Sequence, residues 1–235
     1  ESDIRFMREI IFDTETTGFD PQNGDRMVEI GCIEMIDRIE TGETFHCYYN
    51  PQRPMPKAAE NVHGLSDVFL SDKMLFADGA EELLAFLGDA KLVAHNAQFD
   101  FNFLNAELVL CGHKPISRFR MVDTLAIAKS KHPGAKLSLD ALCSRYGIDR
   151  SHRVKHGALL DAELLTQLYI ELTGGRQIGL GLADDRERAD PVTTTRPMLQ
   201  RLERKTFIPP REHHADVEEL ARHKIFIAGI DNPLW

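Results

Sequence analysis

Five polar side chains in three separated blocks constrain this 235-residue chain more than any other feature. Asp13 and Glu15 follow the apolar run Ile10-Ile11-Phe12. Asp100 closes His95-Asn96-Ala97-Gln98-Phe99-Asp100. His156 and Asp161 flank Gly157-Ala158-Leu159-Leu160. Each acid stands at the end of an apolar strand-like run or on an apolar helical pattern. A carboxylate is costly there unless a cation balances it. Gathered in one place, four carboxylates repel each other, and divalent metal relieves the repulsion. Four acids with one histidine then make a suitable set for two-metal phosphodiester hydrolysis.

Each block alone also admits a plainer reading. Asp13 and Glu15 are two apart, so on an extended strand they face the same side. The same residues suit a solvated strand end, because Asp-Thr and Thr-Gly favour turns. Gly18 lets backbone approach a substrate closely. Asp100 starts a helix, where an acid also serves simply to stabilise the first turn. Phe99 reads as core or as a base-stacking wedge, and His95 and Asn96 as structural hydrogen bonders or site residues. His156 and Asp161 are five apart across a helix start, close together but not on one helical stripe. A histidine ahead of a helix, titrating near ~6.5, suits a proton acceptor. His152 on a polar loop competes for that role, and an incidental surface position is the plain alternative.

Strands are expected over 8–13, 27–36, 44–49 and 91–94, with turn-like Thr41-Gly42 between the second and third. Helices are expected after the loop 51–56 and over 80–87, 99–110, 122–130, 139–146 and 157–173. Asp123 is the expected cap of the fourth of these, and Gly147 and Gly174-Gly175 are expected stops. Strands first, then strands and helices mixed, predict an α/β fold with a mixed central sheet flanked by helices. Composition changes after Gly175. Residues 183–197 read as a solvated linker. Beyond lie an amphipathic stretch over 215–223 and the apolar run 225–230. That tail is expected to dock on a partner or on its own domain.

The net charge is −9, from 28 basic and 37 acidic residues. This argues against a large footprint on duplex DNA. It leaves a nucleic-acid substrate open, because site acids inflate the count and metals offset them; another protein is expected to supply most of the DNA affinity. No run approaches the roughly 18 apolar residues that span a bilayer, so no membrane partner is expected. Cys32, Cys47, Cys111 and Cys143 form no zinc-type pair and read as reduced thiols of a cytoplasmic protein. Residues 1–6 lack the pattern of a signal peptide, and Met7 reads as a natural start.

Taken together and in this order, the blocks resemble the DEDDh 3′→5′ exonucleases, a family with an RNase H-like fold. The matches are Asp13-x-Glu15, Asn96-x-x-Phe99-Asp100, and His156 five before Asp161. A sister subclass has Tyr four before the last Asp, where this chain has Gly157. Val62-His63-Gly64 and Ser138-Leu139-Asp140-Ala141-Leu142-Cys143 are similar to the proofreading members of that family, over about residues 7–175.

The resemblance implies two divalent cations, Mg²⁺ or Mn²⁺, about 3.5–4 Å apart. Asp13, Glu15 and Asp161 would hold them directly, with Asp100 completing the second site. His156 would deprotonate water, and Thr14, Thr16, His63, Asn96 and Phe99 would line the terminal nucleotide at a DNA 3′ end. The implied activity is removal of mispaired 3′ nucleotides for a replicative polymerase. A stand-alone DEDDh nuclease trimming RNA or DNA ends is the second reading, and a non-catalytic scaffold between clamp and polymerase the third. Gln177-Ile178-Gly179-Leu180-Gly181-Leu182 resembles a sliding-clamp-binding peptide, with Gln177, Leu180 and Leu182 as its contacts; a helix end running into the linker is the alternative. The expected domains are the exonuclease domain at 7–175, this peptide at 176–182, the linker at 183–197, and a tail at 198–235 for the polymerase alpha subunit. A small accessory subunit is a further conceivable partner.

Overall fold

The computed structural model describes residues 7–151, 153, 155–174 and 216–229. The chain divides into two units, Glu1–Gly181 and Leu182–Trp235. In the first, strands β1 (Arg8–Thr16), β2 (Met27–Ile36), β3 (Ile39–Tyr48), β4 (Lys91–Ala94) and β5 (Met121–Asp123) form one sheet in the order β3-β2-β1-β4-β5. β1 pairs antiparallel with β2 and β2 with β3, whereas β1–β4 and β4–β5 are parallel. The helices of this unit are α1 (Lys57–His63), α2 (Asp67–Leu70), α3 (Phe76–Leu87), α4 (Ala97–Leu110), α5 (Thr124–Lys131), α6 (Leu139–Tyr146) and α7 (Ala158–Leu172). The expected mixed sheet flanked by helices is the fold observed.

Alternation along β1 decides what each acid can meet. Ile10 and Phe12 join one core with Ala80 and Leu83 of α3 and Phe101 and Leu104 of α4. Ile11 joins the other with Leu142 of α6 and Leu165 and Leu168 of α7. Successive strand residues point to opposite faces, so Asp13 and Glu15 lie on the α7 face and Thr14 on the α4 face.

Several boundaries differ from expectation for physical reasons. β1 continues three residues past Asp13, because pairing with β2 persists through Glu15↔Glu29. The β2–β3 turn falls on Asp37-Arg38, both at positive φ (51° and 65°), not on Thr41-Gly42. Positive φ at both central residues suits a two-residue hairpin turn. Gly42, at φ 89°, serves instead the register irregularity opposite Ile33 and Met35. The expected helix over 122–130 starts later, because Met121–Asp123 pairs with β4 as an edge strand. Asp123 still caps it, accepting from Leu125 N–H at 3.0 Å. α6 matches its expected limits, with Ser138 capping Ala141 N–H and Gly147 left-handed at φ 70°.

One glycine outside the motifs seats the last acid. Gly31 lies across from Asp13 on β2. A Cβ there would stand 2.3 Å from the Leu159 backbone nitrogen. The missing side chain therefore lets the first turn of α7 press onto the sheet, which carries Asp161 to β1.

The second unit is described at α8 (Val217–Ala228). Asp216 and Glu219 close a reciprocal cap at its start. The amphipathic stretch expected to stop at 223 runs on as helix through Ala228 and takes most of the apolar end with it. Val217, Leu220, Ile225 and Phe226 are exposed on it. Residues 176–182, the linker 183–197 and the segment 198–215 lie outside the described residues. No described helix is long and apolar enough to cross a membrane.

Candidate active site

Both helical layers deliver an acid to the carboxyl end of β1, beside parallel β4. Open α/β sheets present ligands at such strand ends. From the α7 side, Asp161 is 3% exposed in the first turn of its helix. Ligand atoms of Glu15, His156 and Asp161 all lie within 4.8 Å of one another. Asp100 arrives from the other side, in the first turn of α4, and is also buried. Thr14 Oγ1 donates to Asp100 Oδ1 at 2.7 Å. Thr14 thus orients the one acid that comes from the opposite layer.

The charges oppose one another. Burial, followed by Asp100, Glu15 and Asp161, holds the Asp13 carboxyl well above its usual range. Burial, then Asp161 and Glu29, pushes Glu15 from 4.5 up to about 8, against the pull of Arg153. Burial pushes Asp100 up to about 7, although the Thr14 hydrogen bond lowers it. Glu29 is a fifth acid that the motifs did not flag. It is 2% exposed, and its Oε1 lies 2.7 Å from His46 Nε2. Several buried oxygen donors that resist joint ionisation, with one imidazole beside them, fit hard divalent cations.

A pH dependence follows with a definite sign. Acids whose folded pKa is raised bind more protons folded than unfolded, so stability falls as pH climbs from the unfolded value towards the folded one. For Glu15 that window runs from 4.5 to about 8. Burial lowers the pKa of His63 and His95, which works the other way below their usual 6.5, so the clean interval is pH 7 to about 8. In EDTA the melting temperature is expected to fall across that interval. Mg²⁺, which binds the ionised carboxylates, is expected to flatten the fall. A melting temperature that rises with pH in EDTA would contradict the assigned repulsion.

A cleft of about 720 Å³ opens next to the acids, lined by Thr14, Glu15, Thr16, Phe19, Val62 and Phe99 among others. Phe19 is 89% exposed and its ring centroid lies 6.5 Å from that of Phe99. Phe99 itself leans on Phe103 of the core at 4.9 Å. Phe99 is therefore packed on the core and also borders the cleft, and Phe19 adds a second ring. An exposed aromatic just after the Thr-Thr-Gly turn is the signal that could have found it. Gly18 also borders the cleft. A Cβ on it would meet the Asp25 carboxylate at 2.2 Å, so a side chain there would displace Asp25 from its bonds to Thr17 and the Asp20 N–H.

The other expected residues divide. Thr16 Oγ1 donates to the Gly18 carbonyl at 2.6 Å, fixing the loop. His63 is buried, and its Nδ1 accepts from Leu65 N–H at 3.0 Å. Asn96 sits exposed at the left-handed cap of α4, φ 62°, a conformation that asparagine tolerates. His95 is structural, bonded to Thr124 Oγ1 and the Leu137 carbonyl. His156 precedes α7 with 46% of its side chain exposed. His152 lies outside the described residues. Arg153, absent from the motif reading, reaches Asp161 with Nε and Nη2.

The family model described as Exonuclease matches residues 10–169. DNA polymerase III subunit epsilon of Rickettsia typhi is 46% identical over 95% of this chain and 97% of its own length. The protein of the same name from Salmonella typhimurium is 39% identical over 92% of this chain and 90% of its own. Among solved structures, the nuclease domain of 3'hExo, a DEDDh family member bound to rAMP, superposes with a TM-score of 0.63 at 16% identity. That match covers 73% of this chain and 94% of the nuclease domain.

Proposed function

The chain belongs to the exonuclease family, and we infer that, as in its relatives named DNA polymerase III subunit epsilon, it removes mispaired 3′-terminal nucleotides from DNA. The observation that carries the reading is the convergence of Asp13, Glu15, Asp100 and Asp161 at one strand end beside His156. Bound divalent cations, Mg²⁺ or Mn²⁺, supply charge neutralisation and a more acidic water for phosphodiester hydrolysis. Asp13, Glu15 and Asp161 hold them from the α7 side. Asp100, aimed by Thr14, completes the set from the α4 side. His156 takes the proton of the attacking water on a ring nitrogen. Phe19 and Phe99 offer apolar faces to the terminal base, Thr14, Thr16 and Gly18 shape the surrounding wall, and His63 and Asn96, outside that lining, are proposed as further contacts of the nucleotide. A stacking site for one unpaired end favours mispaired termini, which fray at lower cost.

Release of 3′ nucleotides from matched and mismatched DNA primers and from RNA, with Mg²⁺ or Mn²⁺, tests this. Faster loss of mismatched DNA ends is expected, and EDTA is expected to stop it. A preference for RNA would move the chain to the stand-alone trimming reading.

The remaining assignments concern partners. The domain spans stay as read from the sequence: 7–175 for catalysis, 176–182 for the sliding clamp, 183–197 as linker and 198–235 for the alpha subunit of DNA polymerase III. α8, with its exposed Ile225 and Phe226, supports a docking tail. The linker would raise the nuclease's effective concentration at the primer end. The cytoplasm is the proposed location, and a small accessory subunit the proposed third partner. Replacing Gln177 and Leu180 with Ala is expected to weaken clamp binding, and equal affinity would reject the peptide. Deleting 184–235 is expected to abolish binding to the alpha subunit; retention would reject the tail.

A further inference from the structure

Arg153 has no part in that reading, yet it touches three of the groups around the site. It lies in the loop before α7 with 9% of its side chain exposed. Its Nε donates to Asp161 Oδ1 at 2.5 Å and its Nη2 donates to Asp161 Oδ2 at 2.6 Å. This paired contact covers both oxygens of the carboxylate. Nη2 also donates to His156 Nδ1 at 2.7 Å. Nη1 donates to Asp140 Oδ1 on α6 at 2.8 Å.

His156 Nδ1 also lies 3.2 Å from Asp161 Oδ2, and Arg153 Nη2 lies 3.4 Å from His156 Nε2. The guanidinium thus packs along the imidazole edge, and with it in place that edge is closed to an attacking water. One side chain therefore occupies an acid assigned to metal and masks the assigned base. While the fork holds both oxygens, Asp161 cannot serve a cation as well.

We propose that Arg153 is a latch that competes with the divalent cation for Asp161, masks His156, and swings towards Asp140 when the site loads. The proposal rests on the metal reading of Asp161. Two features give the swing a destination. Asp140 already holds one arm of Arg153, and Arg150 Nη1 steadies that carboxylate at 2.8 Å. Beyond it opens a depression of about 780 Å³ lined by Asp140, Ser144, Arg150 and Arg153 among others. Holding the guanidinium at Asp140 keeps the Arg153 charge near the site without covering Asp161. The latch also offsets charge among acids that otherwise repel one another, which favours the folded site before a cation arrives.

Calorimetric titration of Mn²⁺ into the full chain tests the latch without reference to turnover. Arg153→Gln removes the competitor and is expected to bind Mn²⁺ several-fold tighter than the parent. Asp140→Asn removes the destination and is expected to bind several-fold weaker. Opposite shifts are the signature, because a merely structural role would weaken binding in both. Arg153→Lys keeps the charge but cannot cover both oxygens. Tightening is expected there too, and it serves if the glutamine variant fails to fold. If the parent takes up Mn²⁺ and neither Arg153 variant binds tighter, the latch is overturned. If the parent takes up none, the metal reading falls and the latch with it.

Discussion

Asp13→Asn is expected to abolish stabilisation by Mg²⁺, to lower the exonuclease rate by about a thousandfold or more, and to raise the melting temperature of the protein in EDTA. The first two effects follow from the donor set. Asp13 lies on the α7 face of β1, between neighbours that raise one another's pKa, and burial is the largest cause of its own shift. Replacing its carboxylate leaves the cations one charged ligand short. Cation stabilisation of the transition state contributes several kcal/mol, and each ~1.4 kcal/mol is tenfold in rate. The third effect has the opposite sign and separates this site from an ordinary buried acid. A salt-bridged carboxylate is missed when it is removed, whereas Asp13 is repelled by Asp100, Glu15, Asp161 and Glu29. Amide in its place keeps the volume and removes the repulsion, so the metal-free fold gains at neutral pH. Thermal melts in EDTA and in Mg²⁺, with rates on a mismatched primer, check all three. Unchanged Mg²⁺-dependent activity would remove Asp13 from the site.

The acids were legible in the sequence because each breaks an apolar pattern, and an acid that interrupts buried periodicity demands a cause. Their faces were legible too: the spacing of Asp13 and Glu15 puts both on one side of a strand. What the sequence concealed depends on contacts across long separations. Asp100 reaches the site through Thr14, 86 positions away, and no local pattern records that hydrogen bond. Gly31 carries no local mark of its role, because what it makes room for is the backbone of α7, far away in the chain. β5 read as the start of a helix because three residues carry too little periodicity to compete with the run behind them. Thr41-Gly42 read as a turn because a bulge and a turn ask for the same left-handed glycine. Glu29 and Arg153 were invisible for another reason. Arg153 sits in a stretch of common polar residues, whereas Glu29 interrupts the apolar strand run of β2 but belongs to none of the three blocks; only the folded register places Glu29 opposite Glu15, or Arg153 on Asp161.

His156→Ala is the sharper test of mechanism, since it parts metal binding from proton transfer. Removing a positioned general base costs roughly 10²- to 10⁴-fold in rate. The loss is expected in kcat, because the cleft proposed for the terminal nucleotide is lined by residues of β1, the loop after it, α1 and α4, not by His156. Mn²⁺ affinity is expected to stay within a few-fold of the parent, because the carboxylates of Asp13, Glu15, Asp100 and Asp161 are untouched. His156 sits next to Asp161 at 3.2 Å, so an alternative exists in which it is a cation ligand instead of a base. That alternative predicts a matched fall in affinity and rate. Added imidazole separates them further. A base missing from an exposed position can be replaced from solution, so part of the lost rate is expected to return with imidazole concentration while Mn²⁺ affinity does not move. An unchanged kcat in His156→Ala would pass the proton to another group. The loop carrying His156 abuts the turn at the end of α1, its backbone nitrogen meeting the Val62 carbonyl at 3.4 Å. With 46% of its side chain exposed, His156 can pass a collected proton on to solvent within each turnover.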